Sequence, residues 1–463
     1  MLPLYSLVGR PSESQPEIFR AFVMANHLGL VLDKLPEKLR HNAVLRAACG
    51  FTFESLVGIA SYYDFINRIV RLDERPKLKL RRVKPKVKVV KGSKSTKIVD
   101  GAKLTKGQKL PPKNPGIVAK LVERILNKDE NFANRPEKKL QEIFAGVSVR
   151  QSIELGLVPT DSLDIAGDGT CIETGASHRG VGVCECRSKG IYKCDCPRRF
   201  SDPSATWGWD SHKGVFFYGY TGYFISTYNK DLKADLPLYL RLVEASRHDS
   251  VSAVVALAEF RKLYPFLNIN TFISDSASDN YATYELLHAW GWKAVIALNE
   301  TNKGNFKYPP PIDVDDAGTP ICAGGNKMVY WGFCGKDRCR LKWRCPKATG
   351  RLYNRNTCQS CSPSAYGRCI YTKPHWDLRI FTAIPRHSPL WKEKMKTRTC
   401  CERVNNRILN DYNIGQTRNR GKKRVSFLAT IAATNIHLDV QLRTMKANDT
   451  FGLADLFRQS IAA

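Results

Sequence analysis

Three acidic residues far apart in the chain have the type and setting that metal-assisted phosphoryl transfer requires. Asp168 stands before Gly169 in the string LDIAGDGTCI, which reads as a strand at 163–172 ending in a turn, so its carboxylate would project from the edge of a sheet. Asp275 follows the apolar strand TFIS, and Glu402 lies in a charged helix one turn after Arg398, which puts those two side chains on one face. If the fold brings the acids together, their hard oxygen ligands suit Mg²⁺ or Mn²⁺. Two ions about 3.5 to 4 Å apart can share three carboxylates, one ion activating a nucleophile and the other the leaving oxygen. Singly each acid is a weak sign, since an aspartate at a strand end is usually a turn or cap residue and a helical glutamate is usually solvated.

Neighbouring polar residues read as structural. Asp279, in the same string as Asp275, precedes a helix and has the composition of an N-cap worth roughly 1 kcal/mol. His248-Asp249 reads as a turn and helix cap before Ser250, with polar support of the metals as the alternative. The cysteines carry a second chemistry. Cys184-Glu185-Cys186 and Cys194-Asp195-Cys196, separated by a spacer in which Gly190 permits a tight return, have the spacing of a structural Zn²⁺ site. Cys334, Cys339, Cys345, Cys358, Cys361 and Cys369 supply enough sulfur for another site or pack as reduced thiols; Cys400 and Cys401, with no histidine beside them, read as packing residues.

The elements that must position these groups follow from periodicity and composition. Helical patterns at 15–30, 36–48 and 61–71 make residues 1–74 a small helical region, the last with Tyr62, Phe65, Ile66 and Ile69 on one face. Residues 75–115 form a basic linker, with 15 Lys and Arg and one acid, Asp100, between 75 and 113. Helical segments at 117–127 and 136–145 occupy a pre-core region, 116–160. From 161 to 299 the order is a strand, the cysteine-rich loop 184–196, two β-rich runs around 214–228, a helix at 250–263, a strand at 270–274, a helix at 280–290 and a strand at 293–298, which predicts a mixed sheet flanked by helices. Residues 300–386 break the rhythm as a cysteine-rich, β-containing insertion; helices resume across 387–446, and 447–463 is a tail. Trp207, Trp209, Trp331 and Trp376 read as core or loop anchors, with base stacking by a tryptophan of the insertion as the alternative.

The chain has 73 Lys and Arg against 43 Asp and Glu, a formal charge of +30, which makes nucleic acid the leading partner without selecting a reaction. The opening string MLPLYSLVGRPSESQ lacks a secretory pattern and no apolar run reaches the roughly 18 to 20 residues of a membrane span, so a cytoplasmic, nucleoid-associated protein with reduced thiols is expected.

The strings IAGDGTCIETGA, WGWDSHKGVFFYGY, ASRHDS, ISDSASDNYATYELL and RTCCERVNNRILNDY together resemble the DDE transposases of bacterial insertion sequences, in particular the family numbered four, over roughly 161–441; ASYYDFINRI is similar to the region before their core. The resemblance implies an RNase H-like core with a β-rich insertion before the last acid. It also implies a catalytic triad of Asp168, Asp275 and Glu402 binding two Mg²⁺ or Mn²⁺ ions, and an Arg398 that contacts DNA phosphate. The family has a tyrosine three residues before that arginine and a lysine seven after the glutamate, where this chain has Met395 and Leu409. Their phosphate contacts would pass to Arg403, Arg407 or Lys422, and the route of second-strand cleavage stays open. The run RNRGKKR, with Lys422, Lys423 and Arg424, is a further candidate contact to the DNA backbone.

The function expected is therefore a cut-and-paste transposase acting on double-stranded DNA, its terminal inverted repeats and a target, as a homodimer on paired ends. Two competitors are an RNase H-like endonuclease without strand transfer and a zinc-stabilised DNA-binding protein without chemistry. Inverted repeats flanking the coding region would favour the transposase over both.

Overall fold

The computed structural model describes residues 14–70, 115–128, 137–194, 196–302, 306–307, 309–334, 338–354, 356, 358, 362–417 and 419–447, together with backbone pairings at Leu80–Arg81, Ile98–Val99 and Ala102–Lys103. Apart from those pairings, the expected basic linker lies outside the described residues, as do Cys361 and the tail from 448.

The centre of the molecule is a mixed sheet. Its strands are β1 (Leu163–Thr174), β2 (Thr206–Asp210), β3 (Val215–Asn229), β4 (Ala234–Glu244), β5 (Ile269–Ser274) and β6 (Lys293–Ile296), with Gln416–Thr417 alongside the end of β1. The order is β4-β3-β1-β5-β6, with β2 also paired to β3; β3 runs antiparallel to β1, β2 and β4, whereas β1, β5 and β6 are parallel. Strand β1 does not end at Asp168 as the sequence suggests. Gly169–Glu173 continue the ladder opposite Tyr223–Gly219, so the small residues around Asp168 serve a strand and not a turn. The two runs expected near 214–228 are one long strand, β3. Strand β4 was not among the expected elements, although Leu236, Leu238, Leu240 and Leu242 recur at every second residue along it. Its Pro237 sits where the register with β3 shifts, the place where a missing N–H is tolerated.

Twelve α-helices surround the sheet among the described residues: α1 (Gln15–His27), α2 (Leu35–His41), α3 (Ala43–Cys49), α4 (Ile59–Ile69), α5 (Ile117–Lys128), α6 (Lys138–Phe144), α7 (Arg150–Glu154), α8 (Asp249–Leu263), α9 (Tyr281–Ala289), α10 (Pro389–Thr397), α11 (Thr399–Asn406) and α12 (Lys422–Ala447). The helix expected at 36–48 is two helices, because Asn42 interrupts it and caps α3 by accepting the Leu45 N–H at 2.9 Å. Helix α8 is buried along most of its length, between the sheet and a layer made by α5 and α9. Helix α12 joins two cores. Val425, Ala429, Ala433 and Ile436 face the sheet, while Phe427 and Ile431 face the N-terminal helices, where the Phe427 and Phe22 rings meet edge to face at 4.9 Å. Asn435 Nδ2 adds bonds to the Val23 carbonyl at 3.1 Å and Asn26 Oδ1 at 3.0 Å.

The cysteine-rich insertion contains an antiparallel sheet of β7 (Val329–Cys334), β8 (Arg340–Arg344) and β9 (Cys369–Thr372). Among the described residues no helix is long and apolar enough to cross a membrane.

Candidate active site

In the parallel pair β1/β5, Ile273 lies opposite Ala166, so Asp275 and Asp168, each two residues further along, stand at the same level. Asp275 is where the chain leaves the sheet: its carboxylate accepts the Ala277 N–H at 3.0 Å and caps a short 3₁₀ turn, Ser276–Ser278. Glu402 reaches the same place from α11, whose buried Cys400 and Cys401 pack against Ala166, Ile273 and Val295. The expectation that these cysteines serve packing is met. Arg398 joins two of the acids, contacting Glu402 and lying 3.7 Å from Asp168 Oδ1, while Asn405 Nδ2 donates to Asp168 Oδ2 at 3.1 Å.

A fourth acid belongs to this group. Asp249 begins α8, and its carboxylate is pressed against Gly169: a Cβ there would lie 2.5 Å from Asp249 Oδ1 and 2.8 Å from Oδ2. Burial pushes the Asp168 carboxyl up to about 7; the charges of Asp275, Asp249 and Glu402 push the same way, and Arg398 opposes them. Asp249 is also raised, by burial and by Asp275, against the pull of His248. The sequence assigned the pair His248-Asp249 to a cap. Only His248 fills that role, accepting the Ser250 N–H through Nδ1 at 3.2 Å. The string ASRHDS was the available signal, but nothing local tells which of its two polar residues turns inward.

Asp279, expected as an N-cap, is something else. The cap of α9 is Asn280, which accepts the Thr283 N–H at 3.0 Å. Asp279 is buried in a bidentate pair with Arg379 of the insertion, at 2.9 and 2.7 Å, and also accepts from Tyr284 Oη at 2.9 Å and the Asn299 N–H at 2.8 Å. A buried arginine 100 residues away outcompeted the local capping role.

The basic candidates divide. Arg398 is at the acids, but Arg403 is held in a bidentate pair by Asp235 at 2.7 Å, and Arg407 is bound to Asp439 and lies 3.5 Å from Asp411. These two arginines have structural partners where phosphate contacts were expected. Lys422 lies 3.5 Å from Glu244, and Lys423 and Arg424 occupy the first turn of α12 beside it.

Cys184, Cys186, Cys194 and Cys196 converge as their spacing predicts, with all four sulfurs within 4.8 Å of one another. The pairs Cys184–Cys194 and Cys186–Cys196 approach to 3.5 and 3.6 Å. Gly190 turns the chain back with φ of 76°, letting the Ile191 N–H reach the Cys186 carbonyl at 2.8 Å. The Cys184 thiol is lowered to about 7 by the Cys186 N–H and the neighbouring thiols. These four cysteines could bind a metal such as zinc. Among the described residues no second group of three or more histidine, cysteine or acidic ligand atoms lies within 4.8 Å of one another, which holds for the insertion cysteines and equally for Asp168, Asp249, Asp275 and Glu402, whose carboxylates are neighbours without closing on one point. Of the core or loop roles expected for the tryptophans, Trp207, Trp209 and Trp331 are about half exposed and not in a core; Trp207 packs on His178 and Tyr218, Trp209 on Phe216, and Trp331 under Arg344.

Comparison with protein-family models and with curated proteins gives no match.

Proposed function

We propose that the chain is a DNA transposase with an RNase H-like core, in which Asp168, Asp275 and Glu402 hold two Mg²⁺ or Mn²⁺ ions for strand cleavage and transfer. The observation that carries this is that Asp168 on β1 and Asp275 at the end of β5 stand level on neighbouring strands, while Arg398 bridges Asp168 to Glu402 of α11. The sheet is in keeping with it: an antiparallel β1-β3-β4 unit continued by parallel β5 and β6, with helices on both faces. Several like charges gathered at a partly buried site are costly alone, and divalent cations would offset that cost. The residues also fit such ions in donor type, since all are carboxylate oxygens.

When bound, the ions would polarise the scissile phosphate and lower the barrier to ionising a water or a strand end. The protein's own part is to hold the acids rigidly and to offer Arg398 to a DNA phosphate in exchange for Glu402 and Asp168. The charge of +30 supports duplex DNA, the element's inverted repeats and a target, as the partner, and a homodimer would bring two ends together. A cytoplasmic, nucleoid-associated location and a structural Zn²⁺ at Cys184, Cys186, Cys194 and Cys196 complete the proposal.

The test is incubation of the full chain with duplexes carrying the element ends and Mg²⁺ or Mn²⁺. Nicked ends and joined products are expected. Cleavage without joining would reduce the activity to that of an endonuclease; DNA binding without any cleavage in either metal would overturn the catalytic assignment.

A further inference from the structure

We propose that the ribbon formed by β2 and the start of β3 is a stacking surface for the bases of an unpaired DNA strand; this rests on the nucleic-acid reading made above and not on the metal centre. The ribbon presents a row of rings. Trp207 faces Tyr218 and Trp209 faces Phe216 across the two strands, so all four side chains share one side, and His178 extends the row against Trp207 at 5.0 Å. Trp207, Trp209 and Phe216 are 48%, 54% and 69% exposed. The rings meet tilted or edge to face, at 5.6 Å for Trp207–Tyr218 and 4.8 Å for Trp209–Phe216, so no two are stacked on one another. Among the described residues no cation covers Trp207, Trp209 or Phe216, whereas Trp331 lies under Arg344. The back of the ribbon is seated: Gly208 and Phe217 turn the other way, and a Cβ at 208 would lie 2.7 Å from the Ala245 carbonyl oxygen. The row is thus held from behind and open in front, which suits a ligand with flat faces.

The rim of the row selects the occupant, because it is cationic. Arg179 follows His178, and Lys213 lies in the turn that joins the two strands. Arg420 and Lys422 flank Gly421, whose N–H donates to Asp202 at 3.0 Å, and the Asp202 carbonyl accepts from Tyr218 Oη at 3.4 Å. The acids nearby are engaged: Asp202 is buried, and Asp210 and Glu244 lie 3.8 and 3.5 Å from Lys213 and Lys422. Exposed rings bordered by cations are what an unpaired strand needs, since its bases stack on the rings while the cations follow its phosphates. An intact duplex keeps its base faces inside, so the rings specify a partner that the charge of +30 alone does not. By alternation from Phe224, opposite Asp168, the row lies on the side of β3 that carries Asp168, roughly 20 Å away at about 3.3 Å per residue.

The experiment is a fluorescence-anisotropy titration of the full chain with a DNA single strand, the duplex of the same sequence and the corresponding RNA strand. Wild type is compared with Trp209→Ala, Trp209→Leu, Trp209→Tyr and a control at an exposed ring elsewhere, Phe266→Ala. Trp209→Ala should weaken the DNA single strand by roughly fivefold or more, the lower end of what stacking on one ring contributes, and leave the duplex within about twofold. Trp209→Tyr should keep most of the affinity, and Trp209→Leu, apolar but without a π face, should lose as much as the alanine variant. Wild-type affinity for the single strand in Trp209→Ala, an equal loss in Phe266→Ala, full retention in Trp209→Leu or tighter binding of the RNA would each overturn the proposal. So would a change of oligomeric state in Trp209→Ala with strand binding unaltered, which would give the face to a second copy of the chain. No binding of any of the three by wild type would remove the nucleic-acid reading itself. A measurement on the unaltered chain guards against variants that fail to fold: 5-iododeoxyuridine in the strand crosslinks under light to aromatic rings stacked on it. Crosslinks are expected within residues 207–218, and crosslinks confined to other segments would equally overturn the proposal.

Discussion

Asp275 and Asp279 share one string and meet opposite environments. Asp279 is closed off with Arg379, a tyrosine hydroxyl and a backbone N–H, every oxygen answered by a donor. Asp275 has one backbone donor and is surrounded by other acids. Both are ordered, but only one is complete. A carboxylate whose partners are all inside the protein is part of the fold, whereas one that faces like charges is held ready for something from outside.

The largest effect should come from the incomplete member. Asp275→Ala is expected to lower cleavage by on the order of 10³-fold or more, comparable to removing a preorganised charge stabiliser, without lowering the melting temperature. A folded Asp275→Ala variant that cleaves normally would erase the contrast. Asp279→Ala should do the reverse. Leaving Arg379 buried without its partner costs about 3 to 5 kcal/mol, and denaturant titration should register that loss, well above the cap contribution its position in the sequence suggests. Arg379→Ala in the same background should add far less than it costs alone, because the pair is already broken. Full additivity would show that the two residues act separately.

His437 extends the contrast to a group that is complete only when neutral. It is fully buried, with Nδ1 2.7 Å from the Ser152 hydroxyl and Nε2 2.6 Å from the Pro237 carbonyl, and burial lowers it to about 4. The unfolded chain, near 6.5, therefore takes up the proton first. The stability due to His437 is present above about pH 6.5 and is lost as pH falls toward about 4, by roughly 3 kcal/mol. The pH dependence of denaturant midpoints should flatten over that window in His437→Gln; an unchanged slope would assign the acid sensitivity elsewhere. Smallest is Arg403→Ala. Its half-exposed pair with Asp235 is worth at most about 1 kcal/mol, and the salt dependence of DNA binding should not change. A slope flattened by about 0.9 would make Arg403 a phosphate contact after all.

What could be read from the sequence was what local chemistry dictates. The apolar face of Tyr62, Phe65, Ile66 and Ile69, the strand before Asp275 and the convergence of four cysteines around Gly190 all follow from spacing within a few residues. The misses share the opposite property. Asp279 was claimed by Arg379, Arg403 by Asp235 and Arg407 by Asp439, each across a long stretch of chain. Asp249 was hidden because its identity as cap or inward acid depends on Gly169, which only pairing with β3 brings beneath it. Strand β4, by contrast, was legible and was missed: Leu236, Leu238, Leu240 and Leu242 recur at every second residue, and the proline that speaks against a strand, Pro237, sits where the register with β3 shifts.

The two-sided packing of α12 has a consequence for how the protein is made. Phe22, Phe65 and their neighbours emerge from the ribosome early, but Phe427 and Ile431, which close their core, lie about 360 to 410 residues downstream. At roughly 5 to 20 residues per second that is a delay of about 20 to 80 seconds, during which the N-terminal helices present an apolar face with no permanent cover. A helper that shields such faces, or early engagement by another surface, would matter most in that interval, and a premature stop anywhere before α12 would release a chain whose first helices are as unfinished as its last.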